Sequence, residues 1–495
     1  MIDLSKNEIW FACGSQSLYG EETLKQVEAD MRQVAEALSG SSEIPVKIVT
    51  SQVLTTPEAI HEFCLKANAS PQCVGIIAWM HTFSPAKMWI RGLAALEKPL
   101  AHLHTQFYRD LPWSEIDMDY MNLHQSAHGG REFGYICTRM GIRRKVIVGH
   151  WEDSAIQRKL GIWSRAASAV ADLRRGTVAR LGDNMRDVAV TEGDKVEAQI
   201  RLGVTVSGYG MGDLVSHIDA VLPSRIDVLL SQYEDEYGID AELKEGGDKH
   251  EKLREAARIE LGLHDFMGSG NFIGLTDTFE NLHGLKQLPG LAIQRLMAAG
   301  YGFGAEGDWK TAAMVRAMKV MADGLNGGTS FMEDYTYHLN PSGMKVLGAH
   351  MLEVCPSIAA SRPSLEMHPL GIGGKDDPAR LVFTAPPGPA VNLGILDLGD
   401  RFRLVANEVD LVIPEHPLPK LPVASALWTP RPDLPTAAEA WILAGGPHHT
   451  SMSMAITTEY LEDFAEIVGV ELLRIDANTQ IADFKDRMRL GNTYL

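Results

Sequence analysis

Short apolar runs and longer amphipathic segments alternate through the first third of this chain. The segments between the runs, such as ETLKQVEADMRQVAEAL, carry apolar residues at helical spacing. The runs themselves have the length and composition of buried strands: EIWFAC, VKIVTS, CVGIIAWM, PLAHLHT and KVIVGHW. Strands separated by helices predict a parallel sheet covered by helices on both faces. Such a sheet binds ligands at the carboxyl ends of its strands.

A chain of 495 residues is longer than one hydrophobic core usually supports, which is about 250–300 residues. A further strand, VARLGDNM, starts a second α/β region, whose helices include DKHEKLREAARIELGLHDFMGSG, GLAIQRLMAAG and DWKTAAMVRAMKVMADG. Short β-like runs with Pro and Gly turns follow, and RLVFTAPPGPAVNLGILDLGDRFRLVANEVDLV is typical of antiparallel strands. We therefore predict two Rossmann-like α/β domains, residues 1–176 and 177–327, and a mainly β, antiparallel barrel-like domain, residues 328–495.

The charge and the cysteines narrow the classes of protein to which the chain can belong. Its formal net charge of −18 argues against a nucleic-acid partner, because phosphates demand clustered Lys and Arg. No export signal and no apolar stretch of about 18 residues is evident, so we predict a cytoplasmic protein without a membrane partner. The cysteines are scattered, odd in number and never spaced as CxxC, which disfavours disulfides and thiolate metal sites: Cys13, Cys64, Cys73, Cys137 and Cys355.

Two acids and two histidines stand out in glycine-rich or apolar surroundings. Glu306 lies among the glycines of YGFGAEGDWK, Glu333 ends an apolar run, His350 lies inside another, and AGGPHHTSM holds His448 and His449 behind a turn. Two carboxylates and two imidazoles without thiolates suit a divalent ion such as manganese. The alternatives are a helix-capping acid, a solvated loop acid and histidines satisfied by hydrogen bonds. The spacing of these residues leaves both interpretations open.

Six strings, in this order, resemble the L-arabinose isomerase family: FACGSQSLYG, GFGAEGDWK, SFMEDYTYHL, LGAHMLEVCPSIA, HPLGIGGKDDPARL and GGPHHT. The resemblance implies a fucose-isomerase-like fold of three domains and an aldose–ketose isomerase that begins L-arabinose catabolism by forming L-ribulose. Conversion of D-galactose to D-tagatose is a second reaction that it admits. It implies one Mn²⁺ per subunit, with Co²⁺ as a substitute, and metal ligands Glu306, Glu333, His350 and His449. The role of His448 stays open.

The resemblance also implies a sugar pocket that combines hydrogen-bonding groups with an apolar wall. Its residues are Gln16, Leu18, Phe83, Gln125, His128, Met185, Phe279, Tyr335 and Ile372. Such a mixture suits a small sugar, because the polar groups meet its hydroxyls and the wall excludes water. The alternative for Met185 and Ile372 is that they are ordinary core residues.

Aldose–ketose isomerisation moves one proton between adjacent carbons and another between their oxygens. Glu306 and Glu333 can serve as both metal ligands and proton carriers, through an enediol; which is acid and which is base stays open. Two other functions are considered: a metal-dependent sugar hydrolase and a non-catalytic cytoplasmic sugar sensor. The resemblance also implies a homohexamer. Since part of the implied pocket lies in the first domain and the implied metal ligands lie far along the chain, we expect its subunits to share active sites.

Overall fold

The computed structural model describes residues 2–494, which divide into two compact units. The first unit comprises residues 2–171 and 459–469. The second unit comprises residues 172–458 and the segment from residue 470 onward. Each unit has its own sheets and its own buried core.

A five-stranded parallel sheet forms the centre of the first unit. Its strands occupy the five apolar runs of the sequence: β1 (Glu8–Gly14), β2 (Lys47–Thr50), β3 (Cys73–Met80), β4 (Leu100–His104) and β5 (Lys145–Val148). The order is β2-β1-β3-β4-β5, so the connections reverse direction between β1 and β3, where sheets of this type bind ligands. The helices are α1 (Gly20–Ser39), α2 (Pro57–Ala69), α3 (Ile90–Ala95), α4 (Met118–Leu123), α5 (Ser126–Arg139) and α6 (Ser154–Arg175).

A four-stranded parallel sheet begins the second unit. Its order is β10-β9-β6-β7. The strands of this part of the chain are β6 (Thr177–Leu181), β7 (Thr205–Tyr209), β8 (Gly238–Ile239), β9 (Phe272–Thr276) and β10 (Gly302–Gly304). The helices are α7 (Lys195–Arg201), α8 (Met211–Asp219), α9 (Pro223–Glu236), α10 (His250–Gly268), α11 (Gly290–Ala298) and α12 (Trp309–Met321). The three helices predicted in this region correspond to α10, α11 and α12.

A closed antiparallel barrel of six strands forms the main part of the remaining second unit. The barrel order is β15-β18-β11-β12-β17-β16, and β16 pairs with β15 to close it. The strands of this part of the chain are β11 (Thr329–His338), β12 (Lys345–Ala349), β13 (Ser364–Met367), β14 (Ala379–Val382), β15 (Gly388–Asp397), β16 (Phe402–Val412), β17 (Ser425–Pro430), β18 (His449–Ser453) and β19 (Glu471–Ile475). Outside the barrel, β13 and β14 form a three-stranded sheet with β8, and β19 pairs in parallel with β16. The helices are α13 (Leu434–Ala444), α14 (Thr458–Val468) and α15 (Ile481–Tyr494). The predicted fold class, two parallel α/β sheets and an antiparallel barrel, is confirmed.

Helix α14 lies in the first unit although it comes late in the chain. Lys145 at the start of β5 forms a 2.5 Å ion pair with Asp463, whose side chain is buried. Arg158 on α6 pairs with Glu459 at 2.8 Å. The first unit is therefore assembled from two segments of chain separated by nearly 290 residues.

Helix α12 is buried along its whole length in the second unit. It packs closely on β10 because that strand reads Gly-Phe-Gly: a Cβ atom on Gly302 would lie 2.0 Å from the carbonyl oxygen of Ala312. The charged residues of the helix have partners, as buried charges require. Arg316, for example, donates two hydrogen bonds of 2.7 Å to Asp172. This packing fixes the start of α12, where Glu306 and Asp308 lie.

All five cysteines are free and buried, which confirms that they form no disulfide framework. Within residues 2–494, no helix combines the length and the apolar character needed to cross a bilayer.

Candidate metal centre and substrate pocket

Three neighbouring barrel strands place Glu333, His350 and His449 in one row. Glu333 on β11 lies directly opposite His449, the first residue of β18, and opposite Ala349, the last residue of β12. His350 follows Ala349 immediately. Because residues opposite each other on antiparallel strands point to the same face, the ladder brings the Glu333 and His449 side chains together. His350 lies just beyond the end of β12, where strand alternation no longer sets its direction, and its ring turns toward Glu333. The distance from His350 Nε2 to Glu333 Oε2 is 3.9 Å.

Glu306 joins this row from the loop between β10 and α12. Its Oε2 lies 3.8 Å from His449 Nε2. Candidate ligand atoms of Glu306, His350 and His449 all lie within 4.8 Å of one another, and so do those of Glu333, His448 and His449. The backbone of Glu306 has a φ of +60°, a left-handed conformation that residues other than Gly and Asn rarely adopt. The loop therefore holds Glu306 in an uncommon backbone conformation, of the kind found at functional sites.

The imidazole of His449 is oriented for metal binding. Its side chain is fully buried, and Nδ1 lies 3.2 Å from the Asp308 carboxylate. The other nitrogen, Nε2, is buried and finds no hydrogen-bond partner among the described residues. A carboxylate on one ring nitrogen and a free lone pair on the other is the usual arrangement of a metal-bound histidine. Two imidazoles and two carboxylates thus fit a divalent ion.

Asp308 stays ionised in the interior because of its neighbours. Burial alone would raise the pKa of Asp308, but the charge of Lys310 and hydrogen bonds from His449 and Thr311 hold that pKa well below its ordinary value. The Lys310 ammonium lies 3.3 Å from Asp308 Oδ1. The anionic Asp308 favours the tautomer of His449 that carries its proton on Nδ1.

His350 has a carboxylate partner of its own, Glu353, at 2.5 Å from Nδ1. Burial lowers the pKa of His350, but the charge of Glu353 and the hydrogen bond to it outweigh that effect, so the pKa is raised. Asp277, after β9, is buried close by, and burial together with the charge of Glu353 raises its pKa to about 7. Phe331 packs edge-on against both metal-site histidines, with ring centroids 5.1 Å away.

The predicted sugar residues of the second unit lie around the metal-site loops. Met185 donates a backbone hydrogen bond of 2.9 Å to the carbonyl of Glu306. Phe279 follows β9 and packs on the core of the α/β part. Gly373, next to Ile372, lies against Phe279. Tyr335, two residues after Glu333 on β11, is 50% exposed. The structure thus connects Met185 directly to Glu306.

The other predicted sugar residues lie in the first unit, after the carboxyl ends of β1 and β3 and at the start of α5. The Phe83 ring stacks on His128 with centroids 4.5 Å apart, and His128 Nδ1 lies 3.2 Å from Gln125 Oε1. Gln16 follows β1, and Leu18, in the next turn, is 82% exposed. Phe83, Gln125 and His128 therefore form one cluster in the first unit.

Comparison with known proteins assigns every part of this architecture to one family. The L-arabinose isomerase N-terminal domain matches residues 3–175, the central domain matches residues 177–324, and the C-terminal domain matches residues 328–471. The chain belongs to the L-arabinose isomerase family. It is therefore an isomerase, which disfavours the hydrolase and sensor alternatives.

Curated relatives agree over nearly their whole length. The L-arabinose isomerase of Herpetosiphon aurantiacus is 61% identical over 494 residues, covering 100% of this chain and 99% of the relative. That of Geobacillus stearothermophilus is 60% identical with the same coverage. That of a Nocardioides species is 58% identical, covering 98% of this chain and 97% of the relative. The family is metal-dependent in general, in agreement with the candidate ligand groups.

His448 lies at the rim of the candidate metal centre. Its Nε2 is 3.7 Å from Glu306 Oε2, and 38% of its side chain is exposed. The interaction with Glu306 raises the pKa of His448, and the same interaction lowers the pKa of Glu306. His448 also belongs to the second candidate ligand group. Geometry therefore leaves His448 close enough to act beside the ligands.

Sequence reasoning missed the residues that orient the ligands. Asp308 lies two positions after Glu306, and Glu353 lies three positions after His350. Asp308 has one local signal, since it caps helix α12 by accepting from Thr311 N at 3.2 Å. No local signal connects it to His449, which is 141 residues away.

The inner face of the barrel carries a second polar group behind the ligands. Asp334 and Thr450 alternate with Glu333 and His449 along their strands, so they face the barrel interior. There they line a small cavity of about 20 Å³ together with Asn392. Among the described residues, Asp334 Oδ1 and Asn392 Oδ1 have no hydrogen-bond partner. Burial and the charge of Glu333 raise the pKa of Asp334 to about 7.

Proposed function

We propose that this chain converts L-arabinose to L-ribulose with Glu306 and Glu333 as the catalytic carboxylates. The supporting observation is the strand register that pairs Glu333 with His449, with His350 and Glu306 close beside them. Membership of the family supports the reaction. We propose D-galactose, which would give D-tagatose, as a second substrate.

We propose Glu306, Glu333, His350 and His449 as ligands of one Mn²⁺ per subunit, with Co²⁺ as a substitute. Equal numbers of nitrogen and oxygen donors suit a borderline-hard divalent ion. When bound, such an ion supplies Lewis acidity to the oxygens on C1 and C2 of the sugar. The buried, unpartnered Nε2 of His449 supports this assignment.

The two carboxylates provide the proton transfers. One accepts the proton from C2 of the aldose and returns it to C1, and the other moves a proton between O2 and O1, so that an enediol lies between aldose and ketose. Both side chains are about one-fifth exposed, so sugar can reach them while most water is excluded. Each also lies within 4 Å of an imidazole that holds it in place.

We propose that the sugar pocket is completed by a neighbouring subunit in a homohexamer. All four proposed ligands lie in the second unit, whereas five of the proposed sugar residues lie in the first: Gln16, Leu18, Phe83, Gln125 and His128. The exposed Leu18 and Tyr335 side chains are suited to such a contact. Met185, Phe279 and Ile372 would supply the wall on the metal side.

We also propose three domains, residues 1–176, 177–327 and 328–495, and a cytoplasmic location. The family matches to residues 3–175, 177–324 and 328–471 support the division. Free, buried cysteines support a reducing compartment.

A chelation experiment tests the proposed function. The protein is stripped of metal and incubated with L-arabinose, D-galactose or L-fucose, with and without added Mn²⁺ or Co²⁺, and ketose is measured. We expect L-ribulose only after metal is restored. Tight sugar binding without ketose would favour a sensor. Absence of ketose together with cleavage of a separately supplied L-arabinose ester or glycoside would favour a hydrolase.

A further inference from the structure

Two consecutive residues, Asn184 and Met185, form hydrogen bonds to the backbone at the proposed ligand Glu306 and the residue after it. Met185 donates its backbone N–H to the carbonyl oxygen of Glu306 at 2.9 Å. Asn184 donates its side-chain amide to the carbonyl oxygen of Gly307 at 3.2 Å. Both acceptor residues have left-handed backbones, with φ of +60° and +83°. The two hydrogen bonds thus support the left-handed backbone of Glu306 and Gly307, a conformation that persists only where surrounding contacts hold it.

The packing around Asn184 leaves these hydrogen-bonding residues little freedom to move. Asn184 is 6% exposed. A Cβ atom on Gly307 would lie only 2.4 Å from Asn184 Cα, so the two backbones are in direct contact. The Asn184 amide also donates to the Thr191 carbonyl at 2.7 Å, and its oxygen accepts from Arg180 at 2.7 Å. Each polar atom of this side chain is therefore engaged.

Lys310 binds the other end of the loop that begins at Asn184. Its ammonium is fully buried and donates to three successive carbonyl oxygens, those of Val190, Thr191 and Glu192, at 3.0, 2.9 and 2.6 Å. Lys310 is the second residue of helix α12 and lies only four residues after Glu306. The loop of residues 184–192 is thus tied at both ends to the segment of residues 306–310.

We propose that Asn184 is a positioning residue for the metal centre: it holds Glu306 in the left-handed conformation from which its carboxylate reaches the metal. This inference rests on the proposed role of Glu306 as a ligand. Partners that orient metal ligands typically change metal affinity by about 10–100-fold when they are removed. Asn184 acts on the backbone of Gly307, the residue after the ligand, whereas Asp308 and Glu353 act on imidazoles.

The test measures binding of Mn²⁺ alone to metal-free protein, by the loss of the free-ion electron paramagnetic resonance signal. We expect Asn184→Ala to weaken Mn²⁺ binding by about 10-fold or more. Asn184→Asp retains the acceptor for Arg180 and loses both donated bonds, so it should weaken binding at least as much. It preserves the side-chain volume and serves if Asn184→Ala does not fold.

Asn281→Ala is the matched control. Asn281 accepts a hydrogen bond from the backbone of Asp183, at 3.1 Å, in the same loop, but it makes no bond to residues 306–307. The Mn²⁺ affinity of Asn281→Ala should stay within about twofold of that of the parent protein, because Asn281 does not contact a residue that orients a proposed ligand. Equal losses in Asn281→Ala and Asn184→Ala would reveal a general loosening of the loop and overturn the proposal.

Glu306→Ala separates this inference from the proposed function. If Glu306→Ala loses Mn²⁺ affinity and both Asn184 variants bind normally, the positioning role is wrong and the ligand assignment stands. If Glu306→Ala binds Mn²⁺ normally, the ligand assignment itself is wrong. Weak binding by Glu306→Ala and by both Asn184 variants, with normal binding by Asn281→Ala, supports the proposal.

Discussion

Replacing His449 by Ala should remove most of the stabilisation that metal gives to this protein, whereas replacing His448 should not. His449 is fully buried and its free Nε2 faces the carboxylates, while His448 lies at the rim with 38% of its side chain exposed. The two residues are adjacent in sequence and identical in chemistry. They form a matched pair in which only position differs.

The size of the effect follows from mass action. Free metal at about 100 times Kd stabilises the folded state by about 2.7 kcal/mol. If losing one of four ligands weakens Kd by about 100-fold, the same free metal contributes only about 0.4 kcal/mol, a loss of about 2.3 kcal/mol. Metal-free His449→Ala should also lose about 1–3 kcal/mol, because a buried hydrogen bond to Asp308 disappears.

Unfolding in denaturant, with chelator and with free Mn²⁺ held at about 100 times the Kd of the parent protein, separates the two contributions. The difference between the two conditions for one variant reports the metal alone, and the chelated value reports the packing. We expect His448→Ala to retain nearly the full metal-linked difference and a substantial part of the activity. A metal-linked difference that survives in His449→Ala and disappears in His448→Ala would refute the ligand assignment.

Three further outcomes are expected. Glu306→Gln should retain partial Mn²⁺ binding and lose on the order of 10²–10⁴-fold in turnover. Carbon-bound deuterium in ketose formed in heavy water would support proton transfer. Full retention of the C2 hydrogen, together with near-normal turnover of this variant, would contradict it. Burial raises the pKa of Asp334 to about 7, so the folded state keeps a proton that the unfolded chain releases from about pH 4 upward, and stability falls as pH rises. With chelator at about pH 8, the free energy of unfolding of Asp334→Asn should therefore exceed that of the parent protein by up to about 4 kcal/mol, and this difference should largely disappear near pH 4. Equal free energies of unfolding at both pH values would contradict the pKa shift. Mixing inactive His128→Ala and Glu306→Ala proteins under conditions of subunit exchange should restore some activity, and demonstrated exchange without activity contradicts shared sites.

Local patterns predicted the strands of the first unit because run length and flanking turns are local properties. The run CVGIIAWM, for example, is strand β3 almost residue for residue. Helix α13 was missed although Asp433 caps it and Pro435 lies in its first turn, since Pro and Gly turns dominate the surrounding sequence. In the site, alternation predicts which face a residue takes but not its partner strand. The pairing of Glu333 with His449 spans 116 residues and depends on barrel register, which no local pattern contains.

The family resemblance supplied the proposed ligand set, and physical reasoning from single residues supplied only part of its explanation. His350 was expected to need a satisfying partner inside an apolar run, and the structure provides Glu353. Asn184 and Lys310 carried no signal at all, because an amide and an ammonium that bind backbone carbonyls look like any surface polar residue in a sequence.

The return of helix α14 to the first unit has a consequence for the order in which the chain becomes structured during synthesis. Asp463, the buried partner of Lys145, is translated more than 300 residues after it. A nascent chain that has reached the end of the second parallel sheet already contains all of strands β1–β5 but lacks the helix that completes their unit. The N-terminal part of this enzyme therefore lacks one of its helices until late in synthesis, and a gene fragment that ends before residue 459 would encode a first unit in which Lys145 and Arg158 lose these ion-pair partners.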